Sequence, residues 1–265
     1  MSLTRRQVNF AAVAAVPLAL AGTGIAQAAQ RHRTLYIAGD STAAQKYADA
    51  APETGWGMAL PFLLRKNLLV SNHAVNGRSS KSFVDEGRLD VVLAAIRPGD
   101  LLLIQFAHND EKATDPARYT EPWTTYQDYL RLYIAGAVDR GARPVLATAV
   151  ERRRFDGDGN ALPTHGDYPA AMRALAREER VALLDVQALS LALWQRLGVE
   201  ETKTYFNWTA TEQDNTHFNP PGAIAVARLV VRELLRTRVL GPQDVRRLGE
   251  EIPESWITWP EASAA

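Results

Sequence analysis

Short, mostly apolar runs alternate with helix-length segments along most of this chain, and no other feature constrains its fold so tightly. Residues 34–38, 68–75, 100–106, 143–149 and 181–185 have the length and apolar content of buried strands. Between them, residues 56–66, 89–96, 125–140, 168–180 and 186–197 carry apolar side chains at helical spacing. A last helix is expected over 221–238, with Pro221 in its first turn, where proline is tolerated. Strand–helix alternation requires crossover connections, which lay helices on both faces of a parallel sheet. The expected fold is therefore α/β, a three-layer α/β/α sandwich on a five-stranded parallel sheet. The chain has 265 residues, 46% of them hydrophobic, enough to bury one large core without a second domain.

In open parallel sheets, ligands bind beyond the carboxyl ends of the strands, so the residues that close each strand are candidates for chemistry. Ser41 follows the first strand in Gly39-Asp40-Ser41-Thr42, with Gly39 permitting a tight turn. Asn76-Gly77-Arg78 follows the second, and a glycine there lets a backbone N–H approach a ligand closely. His108-Asn109-Asp110 follows the third, where a side-chain amide can donate to a developing negative charge. Asp214-Asn215-Thr216-His217 precedes the last helix, and a three-residue spacing in irregular chain lets a carboxylate orient an imidazole. Viewed singly, each segment is equally an ordinary turn or cap. Together they supply the nucleophile, base, orienting acid and oxyanion donors of acyl transfer. Two long segments, 110–122 and 155–166, are rich in Gly, Pro, Asp and Thr and are expected to form loops at a substrate rim.

These four segments resemble the four blocks of the SGNH (GDSL-type) hydrolase family. The resemblance covers roughly residues 34–238 and implies a flavodoxin-like SGNH hydrolase fold. It implies that Ser41 is the nucleophile, His217 its base and Asp214 the orienting acid. It also implies an oxyanion hole made by the Ser41 and Gly77 amides and the Asn109 side chain. The runs Ala74-Val75-Asn76-Gly77-Arg78-Ser79-Ser80, Gln105-Phe106-Ala107-His108-Asn109-Asp110 and Thr164-His165-Gly166-Asp167-Tyr168 are similar to the rhamnogalacturonan acetylesterase branch, as is Thr42. That branch implies a serine esterase removing acetyl groups from plant cell-wall polysaccharide, rhamnogalacturonan first and xylan second, with no cofactor or metal. One position departs from the pattern: Ala107 stands where the third block usually has glycine. Alanine does not adopt positive φ cheaply, so the turn there is expected to differ slightly.

The first 28 residues have the pattern of an export signal, leaving 29–265 as a single domain. Arg5-Arg6 lies in a twin-arginine start, an apolar stretch runs from Phe10 to Ala21, and Ala26-Gln27-Ala28 is a small-residue cleavage site. The stretch is shorter than the ~18–20 apolar residues a membrane span needs. Expected is a bacterial protein exported by the twin-arginine route to the periplasm or medium, with no stable membrane association. Cysteine is absent, so the fold must hold without disulfides. Loss of residues 1–28 leaves 28 basic residues against 30 acidic ones, a balance that gives no footprint for nucleic acid. Arg152-Arg153-Arg154 lies among acidic residues and is expected to be a solvated loop first and a substrate contact second. Two other classes stay open on the residues alone: a metal-dependent phosphoesterase using the Asp and His clusters, and a carbohydrate-binding protein using Trp123, Trp208, Trp256 and Trp259.

Overall fold

The computed structural model describes residues 32–262. The expected leader, residues 1–28, lies outside the described residues. Five parallel strands form the sheet: β1 (Arg33–Gly39), β2 (Leu68–Asn72), β3 (Leu101–Gln105), β4 (Arg143–Ala147) and β5 (Ala182–Leu184), in the order β2-β1-β3-β4-β5. The helices are α1 (Trp56–Leu63), α2 (Ser80–Asp85), α3 (Arg88–Ala95), α4 (Gln127–Asp139), α5 (Tyr168–Glu178), α6 (Val186–Glu201) and α7 (Pro220–Arg236). This is the α/β architecture that the alternation requires.

Side-chain alternation along the strands divides the interior into two cores. Leu35, Ile37, Leu101, Leu103, Val145 and Ala147 face α1, α6 and α7. Tyr36, Ala38, Leu102, Ile104 and Leu146 face α3, α4 and α5. The strand order explains the division. The path from β1 to β2 moves one way along the sheet, and the path from β2 to β3 reverses past β1. Right-handed crossovers in opposite directions put their helices on opposite faces. The reversal leaves a crevice beyond the carboxyl ends of β1 and β3, and the residues after those strands are Asp40-Ser41 and Phe106 to Asp110.

Three features differ from the sequence expectation. Helix α2 is only six residues long, too short for a periodic signal; a capping box fixes it, with Ser79 Oγ accepting from Ser82 N (3.1 Å) and Ser82 Oγ accepting from Ser79 N (2.9 Å). The segment before α7 is not irregular chain but an antiparallel pair, β6 (Phe206–Trp208) with β7 (Gln213–Phe218). The tail after Gly241 reads as polar, yet Val245, Ile252 and Ile257 are buried in the first core, and Asp244 accepts from Arg33 Nη2 (2.7 Å) and Asn67 Nδ2 (2.8 Å). Its apolar residues are too sparse to show a period.

The loop after β3 is fastened to α2 by Asp110, which is fully buried. Its carboxyl accepts from Ser80 N (3.1 Å), from Ser80 Oγ and from Thr120 Oγ1 (3.0 Å). Burial pushes this acid up to about 7, because the donors from Ser80 and Thr120 only partly replace lost hydration. The folded chain therefore keeps a proton that the unfolded chain releases at an ordinary carboxyl value near 3.8. Stability from this group is fully present below that value and is lost as pH rises to about 7, by at most about 1.4 kcal/mol per pH unit. Replacing Asp110 with Asn should flatten this component. Urea unfolding at pH 5 and pH 7.5 checks it: the wild type loses more stability over the interval than Asp110→Asn does, and equal losses would refute the assignment.

Candidate active site

Ser41 lies two residues beyond the end of β1, in a turn where Ala43 N and Ala44 N donate to Asp40 O (3.2 and 3.1 Å). Gly39 is needed there for room rather than for positive φ: a Cβ would meet Gln105 O at 3.1 Å and Ala43 Cβ at 3.4 Å. The Asp40 side chain is fully buried beneath the turn. It accepts from Thr42 N (3.0 Å), Thr42 Oγ1 (2.7 Å), Gln105 Nε2 (3.0 Å) and His108 Nδ1 (3.0 Å). Burial alone would raise this carboxyl, but His108 and the Thr42 donors outweigh it and hold Asp40 well below the usual carboxylate range. The turn is thus clamped to the end of β3.

Strand β7 brings Asp214 and His217 to this turn from 176 residues away. His217 Nδ1 donates to Asp214 Oδ2 (2.6 Å), which fixes the tautomer, and Ser41 Oγ donates to the bare Nε2 (2.9 Å). Asp214 Oδ1 accepts from Thr216 N (2.6 Å) and His217 N (3.0 Å), a local loop of hydrogen bonds that lets residues three apart on a strand meet. Burial would raise the Asp214 carboxyl; the His217 hydrogen bond and charge, together with these amides, bring it below its ordinary value. Phe218 anchors the strand in the first core, 5.1 Å from Phe206 between ring centroids.

Gly77 has φ +75°, a left-handed backbone that favours glycine. Among the described residues, neither the Gly77 N–H nor the Ser41 N–H has an acceptor. Both residues line one cleft of about 380 Å³ with Asn76, His108, Asn109, Lys112, Arg152, Thr216 and His217. Asn109 Nδ2 gives one of its two hydrogens to Arg78 O (3.1 Å), which sets the amide plane beside Gly77. Such a cleft can do acyl chemistry: a hydroxyl with a base, and donors waiting where an oxyanion would form. Ala107 is buried in the second core and is not among the residues of positive φ, so the turn runs without the glycine conformation.

Several residues around the cleft carry little sequence signal. His165 opens a turn, with Tyr168 N donating to its carbonyl (3.2 Å), and its side chain is a buried link. Its Nε2 donates to Val150 O (2.9 Å), its Nδ1 faces Glu111 Oε2 (3.1 Å), and its ring packs edge-on against His108 at 4.5 Å. Burial lowers the proton affinity of His108, whose Nε2 has no partner among the described residues. The Arg152-Arg153-Arg154 run is not simply solvated. Arg152 pairs with Glu111, and Arg153 lies over Trp208 (4.7 Å) while donating to Asn215 Oδ1 (3.0 Å), the neighbour of Asp214. Among the described residues, no group of three or more His, Asp or Glu side chains is placed to hold a metal ion, and no tryptophan lines the cleft. Trp123 and Trp256 are exposed, whereas Trp259 donates to Glu53 O (2.7 Å).

The chain is similar to known proteins over most of its length. Residues 37–223 match the GDSL-like lipase/acylhydrolase family. The chain is 45% identical over 223 residues to the probable rhamnogalacturonan acetylesterase YesY of Bacillus subtilis, covering 84% of this chain and 97% of that protein. It is 43% identical to the rhamnogalacturonan acetylesterase RhgT of the same organism, covering 74% of this chain and 87% of that one. The crystal structure of protein YxiM from Bacillus subtilis superposes with a TM-score of 0.71 at 32% identity, over 79% of this chain and 58% of the other. The matched span holds the turn after β1, the turn before α2, the loop after β3 and strand β7, the segments that meet in the cleft. The chain belongs to the GDSL-like lipase/acylhydrolase family.

Proposed function

We propose that this protein is a serine esterase that removes acetyl groups from plant cell-wall polysaccharide, with rhamnogalacturonan as first substrate and acetylated xylan as the alternative. One observation carries the reading: Asp214, His217 and Ser41 form a continuous hydrogen-bonded relay at the mouth of a cleft that also presents two backbone N–H groups without acceptors. The relatives YesY and RhgT, named for rhamnogalacturonan acetylesterase activity, support the choice of polymer.

In this mechanism Ser41 Oγ attacks the acetyl carbonyl while its proton passes to His217 Nε2. The ester carbonyl becomes an oxyanion facing the Ser41 and Gly77 N–H groups and the remaining Asn109 amide hydrogen. Collapse breaks the bond to the sugar oxygen, which takes the proton from His217 and leaves as a hydroxyl. Water then gives its proton to His217 and attacks the acetyl-enzyme, releasing acetate and restoring Ser41. Asp214, held below its ordinary value, stays ionised and stabilises the imidazolium at both steps. None of these steps calls for a metal or cofactor.

We also assign residues 1–28 as a twin-arginine export signal and residues 29–265 as a single catalytic domain. The paired Arg5-Arg6 and the apolar stretch after them support the export route. A polymer substrate outside the cell agrees with it, and no described helix is long and apolar enough to cross a membrane.

Acetate release from acetylated rhamnogalacturonan and acetylated xylan, measured beside Ser41→Ala, tests the assignment. Release by the wild type alone is expected, faster from rhamnogalacturonan; retained turnover in Ser41→Ala would remove the nucleophile. Asn109→Ala should lower kcat on the order of 10²–10³-fold, the scale for one lost oxyanion donor. A loss below about threefold in steady-state kinetics would clear Asn109 of that role.

A further inference from the structure

We propose that Lys112 binds a carboxylate of the substrate, so that the cleft selects an acidic, uronate-containing polysaccharide over a neutral one. This rests on the acetylesterase reading above and names the chemistry of its substrate. Three charged side chains line the cleft beside the two histidines: Glu53, Lys112 and Arg152. Two of them are already neutralised. Glu53 pairs with Lys46 Nζ at 2.5 Å, and Arg152 pairs with Glu111. Lys112 alone has no carboxylate within 4.0 Å among the described residues.

The neighbours of Lys112 sharpen the imbalance. Arg118, on the same loop, approaches Gly77 O with its Nη1 (3.5 Å), so a third cation stands at this wall. The carboxylates in range are Glu111 and Asp115, and both are engaged, by Arg152 and Arg118 respectively. Burial, and then the like charges of Arg118 and Arg152, lower the proton affinity of Lys112. A cation held among cations without its own counter-charge gains when an anion arrives, and a ligand carboxylate supplies that missing charge.

Its place on the chain sets what the ammonium can read. Lys112 N donates to Asn109 O at 3.3 Å, so the backbone bearing the ammonium is tied to the backbone bearing the amide donor. A lysine stem rooted there reaches a group on the sugar bearing the acetyl ester or on its neighbour, not a distant part of the polymer. Rhamnogalacturonan contains a uronic acid with a free carboxylate, whereas a xylan backbone is neutral. A compact ammonium on a flexible stem suits a carboxylate whose position shifts between acetylation sites.

The test uses the full-length enzyme on acetylated rhamnogalacturonan and on the same polymer with its carboxylates methyl-esterified. Lys112→Ala should raise KM on the acidic polymer by on the order of threefold to tenfold, the scale of one partly exposed charge contact, with kcat little changed. Lys112→Arg should retain most of the affinity, and Lys112→Glu should lose more than Lys112→Ala. On the methyl-esterified polymer, wild type and Lys112→Ala should have the same KM. Added salt should weaken wild-type binding of the acidic polymer more than it weakens that of Lys112→Ala. A KM change below about twofold on the acidic polymer, or an equal change on both polymers, would overturn the role of Lys112 and leave the esterase reading standing. Release of no acetate from either polymer, with 4-nitrophenyl acetate still cleaved, would overturn the polysaccharide reading and this inference together.

Discussion

A fully buried carboxylate, Asp40, sets the geometry on which the candidate site depends. Four donors converge on it from Thr42, Gln105 and His108, and these are the elements that must meet for Ser41 to face a base. Each contact joins the turn after β1 to itself or to the end of β3. A buried charge without those donors would cost several kcal/mol, so the turn and the strand end are held in one arrangement by the penalty for any other. The low proton affinity of Asp40 expresses the same fact: the anion is the form the surroundings are built to receive. Ser41 needs no strain of its own, because the residue beside it is pinned.

A second buried acid, Asp110, works in the opposite sense. It is fastened to α2 through Ser80, but among the described residues no cation pairs with it, and burial drives its proton affinity up. The two acids lie under neighbouring parts of one cleft. One, held by an imidazole N–H together with hydroxyl and amide donors, is stabilised as an anion; the other, with fewer donors and no imidazole against it among the described residues, is stabilised as an acid. Between them they fix the two segments that carry the proposed amide donors, Gly77 ahead of α2 and Asn109 ahead of Asp110. Preorganised donors accelerate acyl transfer because they need no rearrangement as charge develops, and in the proposed mechanism these buried acids would supply that preorganisation from below.

The sequence carries the parts of this arrangement that follow from periodicity and strand ends. The five strands, six of the seven helices and the positions of Ser41 and Asn109 beyond β1 and β3 follow from alternation and the strand-end rule. Gly77 after the second strand and the Asp214–His217 spacing are also readable, but a glycine turn and an Asp-His spacing are common, so they gain weight only in conjunction and through the resemblance. What stays hidden is whatever depends on long-range pairing. His165 looks like a loop residue because nothing local says that Glu111 and His108 will lie against it. Arg153 looks solvated because its partners, Trp208 and Asn215, arrive on a hairpin more than fifty residues later. Helix α2 is too short to show a period, and the apolar residues of the tail are too widely spaced to show one.

Those hidden contacts join the rim of the cleft to its chemistry. The loop after β4 carries Arg152, which grips Glu111 on the loop after β3, and Arg153, whose backbone N–H (2.8 Å) and side chain both reach Asn215 on β7. Neither loop has regular secondary structure of its own beyond turns and one isolated bridge. Their rigidity comes from charge-assisted hydrogen bonds rather than from a backbone ladder. A rim built this way can change its residues, and hence its substrate, without disturbing strand register. The limit is set at Arg153: it braces Asn215, the residue next to Asp214, so a change there would disturb the proposed orienting acid as well as the rim. Among the described residues Lys112 has no such second attachment through its side chain, which makes it a position where specificity can vary while the relay from Asp214 to Ser41 stays in place.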